Sequence, residues 1–312
     1  MTTAHLSAHL PDPYDPAAFR DGLVAHGFLI PTGVRGGDGR SAKFEDVLDR
    51  FDALVMRDAA GDGAEALHFP PIVARTLIER MGYLGNFPQL VGSLHSFFGD
   101  DAAARELAAL ADAGQRWEHL LEPTETMLLP AACYPVYPVF SGLLPEGGRL
   151  VTVRNWCYRH EPSDEPTRLQ SFRMREFIRA GAPETVHEWR DGWLQRGLAL
   201  LQGLGLPAHS DVANDPFFGR VGQIIAVSQR QQALKFELLI PFQKTSSPTA
   251  CMSFNYHREH FGNVWGIRDP SGEPAHTGCV AFGVDRLAVA LFSNHGLNTA
   301  EWPAAVRKAL GL

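Results

Sequence analysis

Residues 149–179 constrain this chain more than any other segment. Two runs of strand-like composition, 149–157 and 172–178, are separated by a loop rich in proline and charge, and seven arginines between 149 and 179 alternate with apolar or aromatic residues. Side chains on a strand change face at every residue, so Arg159 and Glu161 project from one side, as do Phe172, Met174 and Glu176 on the returning run. Guanidinium groups, a carboxylate and an aromatic ring gathered on one hairpin can hold a purine triphosphate, with forked hydrogen bonds to phosphate oxygens and a ring against the base. A solvated, charge-balanced hairpin accounts for the spacing equally well.

Runs of similar texture at 127–129, 134–140, 235–242 and 250–256 are bounded by proline and glycine, which predicts an antiparallel sheet rather than repeated strand–helix–strand units. Helices are expected at 16–27, 41–60, 72–82, 101–121, 184–204 and 221–234, and a strand-to-helix unit at 277–293. The strongest amphipathic pattern of the N-terminal half starts from Ser41 as N-cap and places Phe44, Val47, Leu48, Phe51, Leu54 and Val55 at helical spacing. A short strand, 66–69, then stops at Pro70-Pro71. Trp189 and Trp193, four apart, are expected in a helix core. The glycine-rich stretch 32–40 reads as a plain loop, because none of the four lysines follows a glycine as a phosphate-binding loop requires. Residues 1–15 read as an extended arm, giving an N-terminal arm and helix over 1–40 and one α+β domain over 41–312.

Composition removes several classes of function. The chain carries 28 Lys and Arg against 35 Asp and Glu, a net charge of −7, and is poorly suited to tracking a nucleic-acid backbone, although a local arginine cluster can still grip phosphate. Asp285 and Arg286 interrupt its most apolar stretch, so no run of about 18 apolar residues exists and no membrane span is expected. Residues 1–19 contain neither Lys nor Arg nor a sustained apolar run, so the expectation is a protein without a secretory leader, in the cytoplasm. Four cysteines, Cys133, Cys157, Cys251 and Cys279, are too few for a disulfide scaffold and point to thiol or metal chemistry.

A second polar cluster spans Thr277 to Leu291, where a strand ends in glycine and enters an apolar helix with Asp285 and Arg286 in its first turn. Helix N-termini attract anions, and an arginine there is poorly placed for the helix dipole unless an anion compensates it or a local carboxylate pairs with it. Taken together, Arg159-x-Glu161, the loop, and Arg168-x-x-x-Phe172-x-x-x-Glu176 resemble motif 2 of the class II aminoacyl-tRNA synthetases. Gly278 to Arg286 resembles their motif 3, and helix 41–60 with the short strand and Pro70 is similar to motif 1, which builds a dimer interface. Residues 235–241 and 251–255 resemble the seryl-type region between motifs 2 and 3. Closest in kind are the seryl enzymes that hold zinc through Cys, Glu and Cys, to which Cys133, Glu176 and Cys279 correspond; three protein ligands leave one position open for a substrate amino group. Residues 169–176, 215–223, 253–261 and 272–282 resemble the amino acid:[carrier protein] ligases, stand-alone relatives of those synthetase cores.

The resemblance covers residues 40–300 and implies a class II synthetase-like antiparallel sheet flanked by helices, with no separate tRNA-binding domain. It implies an ATP-dependent ligase that forms an aminoacyl-adenylate from a small amino acid and passes it to the phosphopantetheine thiol of an acyl or peptidyl carrier protein. Arg159 would hold the α-phosphate, Glu161 the adenine edge, Phe172 the adenine face, and Arg168 and Arg286 the γ-phosphate. Leu169, Lys235, Glu237, Ala250 and Ser253 would complete the ATP site, while Glu176, Ser253 and Asn255 would contact the amino acid. One Zn2+ per subunit on Cys133, Glu176 and Cys279 would bind the α-amino group, and Mg2+ would accompany ATP. The family's acidic metal-binding glutamate has no clear counterpart, since Thr249-Ala250 stand near its place, so magnesium ligands stay open. Glycine and alanine stay open as well, because one methyl is worth only about 1–3 kcal/mol in a pocket. The implied assembly is a homodimer with no tRNA partner. Arg220 and Arg230 at helix 221–234 are expected to face an acidic carrier, with an ordinary surface helix as the alternative. His257 and His260 read as hydrogen-bonding core or pocket residues, and Thr124-Glu125 are off by one from the family's Thr-x-Glu loop. Two other readings remain: a catalytically silent paralogue that binds an amino acid or partner, against which the presence of Arg159, Arg168 and Arg286 argues, and a minimal aminoacyl-tRNA synthetase.

Overall fold

The computed structural model describes residues 15–242 and 247–312. Of the expected N-terminal arm, residues 1–14 lie outside that range, and Asp15 caps the first helix by accepting from the amides of Ala17 and Ala18. The main sheet has seven strands: β1 (Glu65–Leu67), β2 (Arg149–Tyr158), β3 (Ser171–Gly181), β4 (His209–Val212), β5 (Lys235–Ile240), β6 (Thr249–Arg258) and β7 (His276–Gly283). Their order is β4-β5-β6-β7-β3-β2-β1, antiparallel throughout except for the parallel edge pair β1–β2. Helices α1 (Pro16–Ala25), α2 (Ala42–Asp58), α3 (Pro183–Gly203), α4 (Gly219–Gln231), α5 (Val284–His295) and α6 (Ala304–Leu310) accompany it.

Strand β3 shows why the arginines alternate. Its odd-numbered residues face the helices: Phe177 joins a core with Phe282, Phe254 and Leu238 of the sheet, Phe44, Phe51 and Val55 of α2, Trp193 and Leu201 of α3, and Leu287 to Phe292 of α5. Phe19 and Leu23 of α1 lie in that core too, and Trp189 packs against it. On the same face, Arg173 and Arg175 meet carboxylates. The Arg175 guanidinium donates to both oxygens of Asp52 at 2.8 and 2.7 Å, and Arg173 donates to Glu45 and to Asp285 of α5 at 2.5–3.2 Å. Arg154, opposite Arg175 in register, donates to Asp49 at 2.8 Å. Glu45, Asp49 and Asp52 recur at helical spacing along α2, so one edge of the helix is a ladder of acceptors for the strand arginines. The even-numbered residues of β3 look the other way, into a smaller core built with Val151, Val153, Cys157, Tyr137, Phe140, Phe261 and Ile267.

The elements depart from the sequence reading in several places. Residues 134–140 are not a strand; Tyr137–Phe140 form a 3-10 turn, because Pro135 and Pro138 lack the amide protons that a ladder needs. Residues 72–82 begin as a strand, Ile72–Ala74, and only Arg75–Arg80 is helical. The helix expected over 101–121 ends at Asp112, just before Gly114 with φ +64°, and Leu121–Leu128 is a strand that continues the expected 127–129. It is the centre of a small antiparallel sheet with Ile72–Ala74 and Ser93–Phe97. Ser93–Phe97 and β4 gave no sequence signal, being short, polar and mostly exposed.

The Arg175–Asp52 pair is buried on both sides. Arg175→Ala leaves the buried Asp52 carboxylate with Arg154 alone, at 3.2 Å, and is expected to cost about 3 kcal/mol in urea unfolding, whereas Asp52→Leu with Arg175→Met recovers most of it. A single-variant cost under about 1 kcal/mol would show that the pair does not anchor α2.

Candidate active site

Strand register assembles the site on the face opposite the helices. Glu237, Ser253, Ala281, Glu176 and Val153 form one row across β5, β6, β7, β3 and β2. Lys235, Asn255, Cys279, Ile178 and Val151 form the next. Adjacent strands lie about 4.8 Å apart, so Glu176 and Cys279 become near neighbours despite their separation in sequence. Cys133 arrives from the irregular segment after the small sheet. The amides of Ala132 and Cys133 donate to Glu176 Oε1 at 2.8 and 3.3 Å, which draws that segment over the row. Ligand atoms of Cys133, Glu176 and Cys279, all buried, lie within 4.8 Å of one another.

The electrostatics of this trio are those of a cation site. Burial, with the charge of Cys279 added, raises the Glu176 carboxyl to about 8. Burial likewise pushes the Cys133 thiol well up. Cys279 is held well below the ordinary thiol range by the hydrogen bond from Cys133, with His257 and Asn255 contributing. Asn255 Nδ2 donates to Cys279 Sγ at 3.3 Å, and His257 Nε2 lies 3.8 Å from it. Burial raises the pKa of the Tyr137 hydroxyl, and the charges of Cys133, Cys279 and Glu176 with a hydrogen bond to Cys133 add to the rise. Three acidic groups crowded together in a buried space fit a divalent cation, and two sulfurs with one carboxylate suit a borderline-soft one.

Next to the trio the charge changes sign. Arg286 donates to the carbonyls of Thr167 and Ala250 at 2.7 and 2.5 Å, and Arg159 to that of Pro130 at 3.1 Å, and among the described residues neither has an ion-pair partner. Burial, together with the charges of Arg159 and Arg168, pulls the pKa of Arg286 down. A buried guanidinium that neighbouring cations push down, with no carboxylate to pair it, marks a place for an anion. The Arg159 guanidinium sits 5.5 Å from the Phe172 ring centroid, and Arg168 pairs with Glu161 at 3.3 Å at the rim, beside buried Leu169. Lys235 is engaged internally, with Nζ 2.7 Å from Asp215 and 3.0 Å from Glu237. Burial would raise the pKa of Asp215, but Lys235 and hydrogen bonds from Gln229 and Lys235 hold it below the usual range.

The structure therefore gathers Cys133, Glu176, Cys279, Ser253, Asn255, Arg159, Phe172, Ala250 and Arg286 on one face. Arg220 and Arg230 lie apart on α4, where Arg230 is 3.6 Å from Asp211. Asp285 is no site residue but the buried acceptor of Arg173, with Arg40 2.7 Å away. Thr124 donates to the Leu94 carbonyl and Glu125 accepts from Arg75, so both are engaged within the small sheet and its neighbouring helix. Sequence reasoning gave no role to Asp215 or Tyr137 and placed His257 only among core or pocket residues. His257 had a readable signal, two residues after Asn255 on the same strand; the other two did not.

No protein-family model matches the sequence. It is 51% identical over 282 residues, 89% of this chain and 86% of the other, to "Amino acid--[acyl-carrier-protein] ligase 1" of Bradyrhizobium diazoefficiens. The chain belongs to the amino acid–[acyl-carrier-protein] ligase family. Ligase 2 of the same organism is 47% identical over 304 residues, 97% of this chain and 90% of that one. The "Type-2 serine--tRNA ligase" of Methanopyrus kandleri is 28% identical over 277 residues, 82% of this chain but only 52% of its own length. Among solved structures, M. kandleri SerRS in complex with A. aeolicus tRNASec superposes with a TM-score of 0.79 at 22% identity, covering 97% of this ligase and 61% of that chain. Seryl-tRNA synthetase from Pyrococcus horikoshii complexed with ATP gives 0.68 at 16% identity, over 94% of this chain and 62% of that one. The fold is that of class II seryl-tRNA synthetase cores, and this ligase spans about six-tenths of those chains.

If the unpaired arginines form an anion site, tripolyphosphate should raise the melting temperature of this ligase, and Arg286→Ala should remove most of the rise. A ligand at 100 times its Kd stabilises by about 2.7 kcal/mol, which thermal unfolding resolves readily. An equal rise in the variant would place the anion elsewhere.

Proposed function

We propose that this ligase activates glycine or alanine with ATP as an aminoacyl-adenylate and transfers the aminoacyl group to the phosphopantetheine thiol of a carrier protein. The observation that supports it best is the junction of two opposed fields: Arg159 and Arg286, without carboxylate partners among the described residues, and a buried Cys133–Glu176–Cys279 trio whose Glu176 feels the charge of Arg159. The two ligase relatives, whose names specify an amino acid and an acyl-carrier protein, point the same way.

In the first half-reaction a carboxylate oxygen of the amino acid attacks the α-phosphorus of ATP, and pyrophosphate leaves. Such a step needs charge stabilisation and alignment more than a general base. Arg159 would hold the α-phosphate while Phe172 lies against the adenine, with Glu161, Leu169, Lys235, Glu237, Ala250 and Ser253 completing the nucleotide site. Arg168 and Arg286 would take the γ-phosphate, with Mg2+ accompanying the nucleotide. Cys133, Glu176 and Cys279 would hold Zn2+, which when bound supplies an open position for the α-amino group. Glu176, Ser253 and Asn255 would line the amino-acid side. In the second half-reaction the carrier thiol attacks the carbonyl carbon and AMP departs.

Helix α4 is the proposed carrier contact. Phe218, Val221, Ile224 and Val227 are all more than half exposed, beside the basic Arg220 and Arg230. An apolar strip with cationic flanks suits an acidic partner with an apolar seam. The remaining parts of this reading are a homodimer through the region around α2 and a cytoplasmic location without tRNA as partner.

Amino-acid-dependent exchange of labelled pyrophosphate into ATP tests the first half-reaction. Exchange is expected with glycine or alanine and to vanish after metal removal; none with any amino acid would leave a silent binding paralogue. Arg220→Glu with Arg230→Glu should raise the carrier KM at least tenfold and leave exchange intact, and an unchanged KM would remove α4 from the carrier contact. Charging of tRNA in place of a carrier would favour a minimal synthetase.

A further inference from the structure

We propose that His257 is a positioning residue for the cation site, donating its Nε2–H to the sulfur of Cys279. The proposal rests on the metal reading of the trio. Ladder pairing between β6 and β7 shifts between Tyr256 and Arg258, and Arg258 takes φ +53°, in the left-handed region that a non-glycine residue rarely occupies. His257 is the residue at the shift. Bulges of this kind re-aim a side chain, and this one turns the imidazole toward Cys279.

The ring is held from three sides. Its Nδ1 lies 3.1 Å from the hydroxyl of fully buried Thr277, and its faces and edges meet Tyr137 at 5.9 Å and Phe261 at 4.9 Å between centroids. Its Nε2 lies 3.8 Å from Cys279 Sγ. A cysteine that ligates a metal has no proton to donate, so the contact is favourable only when the imidazole carries hydrogen on Nε2. In that tautomer Nδ1 is the acceptor, and the Thr277 hydroxyl, able to donate or accept, donates to it. With Asn255 Nδ2 at 3.3 Å, Cys279 receives two N–H donors. Such outer contacts orient a ligand and withdraw charge from it, and their loss weakens metal binding about 10–100-fold.

The test uses the whole protein as purified, reloaded with Zn2+ for chelator competition and with Co2+ for absorption spectroscopy, in four forms: parent, His257→Ala, His257→Gln and Thr277→Val. Losing an N–H donor makes the thiolate easier to oxidise, so the sulfur-to-cobalt charge-transfer band is expected at lower energy in His257→Ala, with Zn2+ affinity about 10–100-fold weaker. His257→Gln, which retains an N–H donor, should restore most of both, and Thr277→Val should shift both in the direction of His257→Ala. A parent that binds Zn2+ tightly, with all variants within twofold of it, overturns the role of His257 alone. A parent that binds no metal overturns the site reading and this proposal with it. Equal loss in the Ala and Gln variants, with Thr277→Val unchanged, overturns the donor role. Should His257→Ala fail to fold, the Gln and Val variants decide.

Discussion

Everything in this molecule depends on how the two faces of β3 are kept apart. Arg173 and Arg175 point at the helices and find Asp285, Glu45 and Asp52; one residue along, Met174 and Glu176 point at the site. A one-residue slip would exchange the two sets, placing guanidiniums among the cysteines and Glu176 against Phe177's aromatic neighbours. Packing alone does not forbid such a slip, because both faces contain apolar residues. The carboxylate ladder of α2 and the buried Asp285 do forbid it, since a slipped strand would leave several buried charges unpaired.

That registry has a functional consequence. By locking β3 against α2 and α5, the ion pairs fix which residues of β5, β6 and β7 share a row with Glu176. The backbone places of Cys279 and Asn255 follow from that ladder. Arg286 comes with the same ion pairs, because it follows Asp285 on the first turn of α5. Asp285 anchors the helix while its neighbour reaches the carbonyls of Thr167 and Ala250. One acid–base pair thus secures the sheet and presents an uncompensated cation to the site.

Much of this was readable from sequence, for reasons that differ by element. The hairpin, α2 and the strand-to-helix unit at Asp285–Arg286 are strongly periodic, and the structure keeps them to within a few residues. The trio was reached through family likeness and not through spacing, because Cys133 meets Glu176 only where a non-repetitive segment is drawn in by two backbone amides. No periodicity encodes that approach. Residues 134–140 read falsely as a strand because valine and aromatic residues surround Pro135 and Pro138 there, a pattern that counts residue type and ignores missing amide protons. The bulge that aims His257 was invisible for a related reason: left-handed backbone at a residue such as Arg258 is imposed by tertiary packing. The seven arginines looked alike in sequence, yet Arg154, Arg173 and Arg175 serve the helices while Arg159 and Arg168 border the site.

Helix α4 shows how a weakly buried element is still tied to the centre. Gly222 is its one buried residue, and a Cβ there would come within 2.8 Å of the Phe217 backbone, so the helix hugs the preceding segment with its own main chain. Phe217 in turn stacks on Phe87 at 5.1 Å, and Gln89 donates to the Pro216 carbonyl. The remaining hold is polar: Gln229 closes on Asp215 through both the amide and the carboxylate, at 2.7 and 2.8 Å, and the other oxygen of Asp215 accepts from Lys235 at 2.7 Å. Lys235 stands in the same row as Asn255 and Cys279. One half-buried carboxylate is therefore shared between the exposed helix and the candidate-site face of the sheet. Lys235 keeps Glu237 at 3.0 Å as a second partner, so the Asp215 contacts tie the helix to the sheet as one polar network rather than through a single bond.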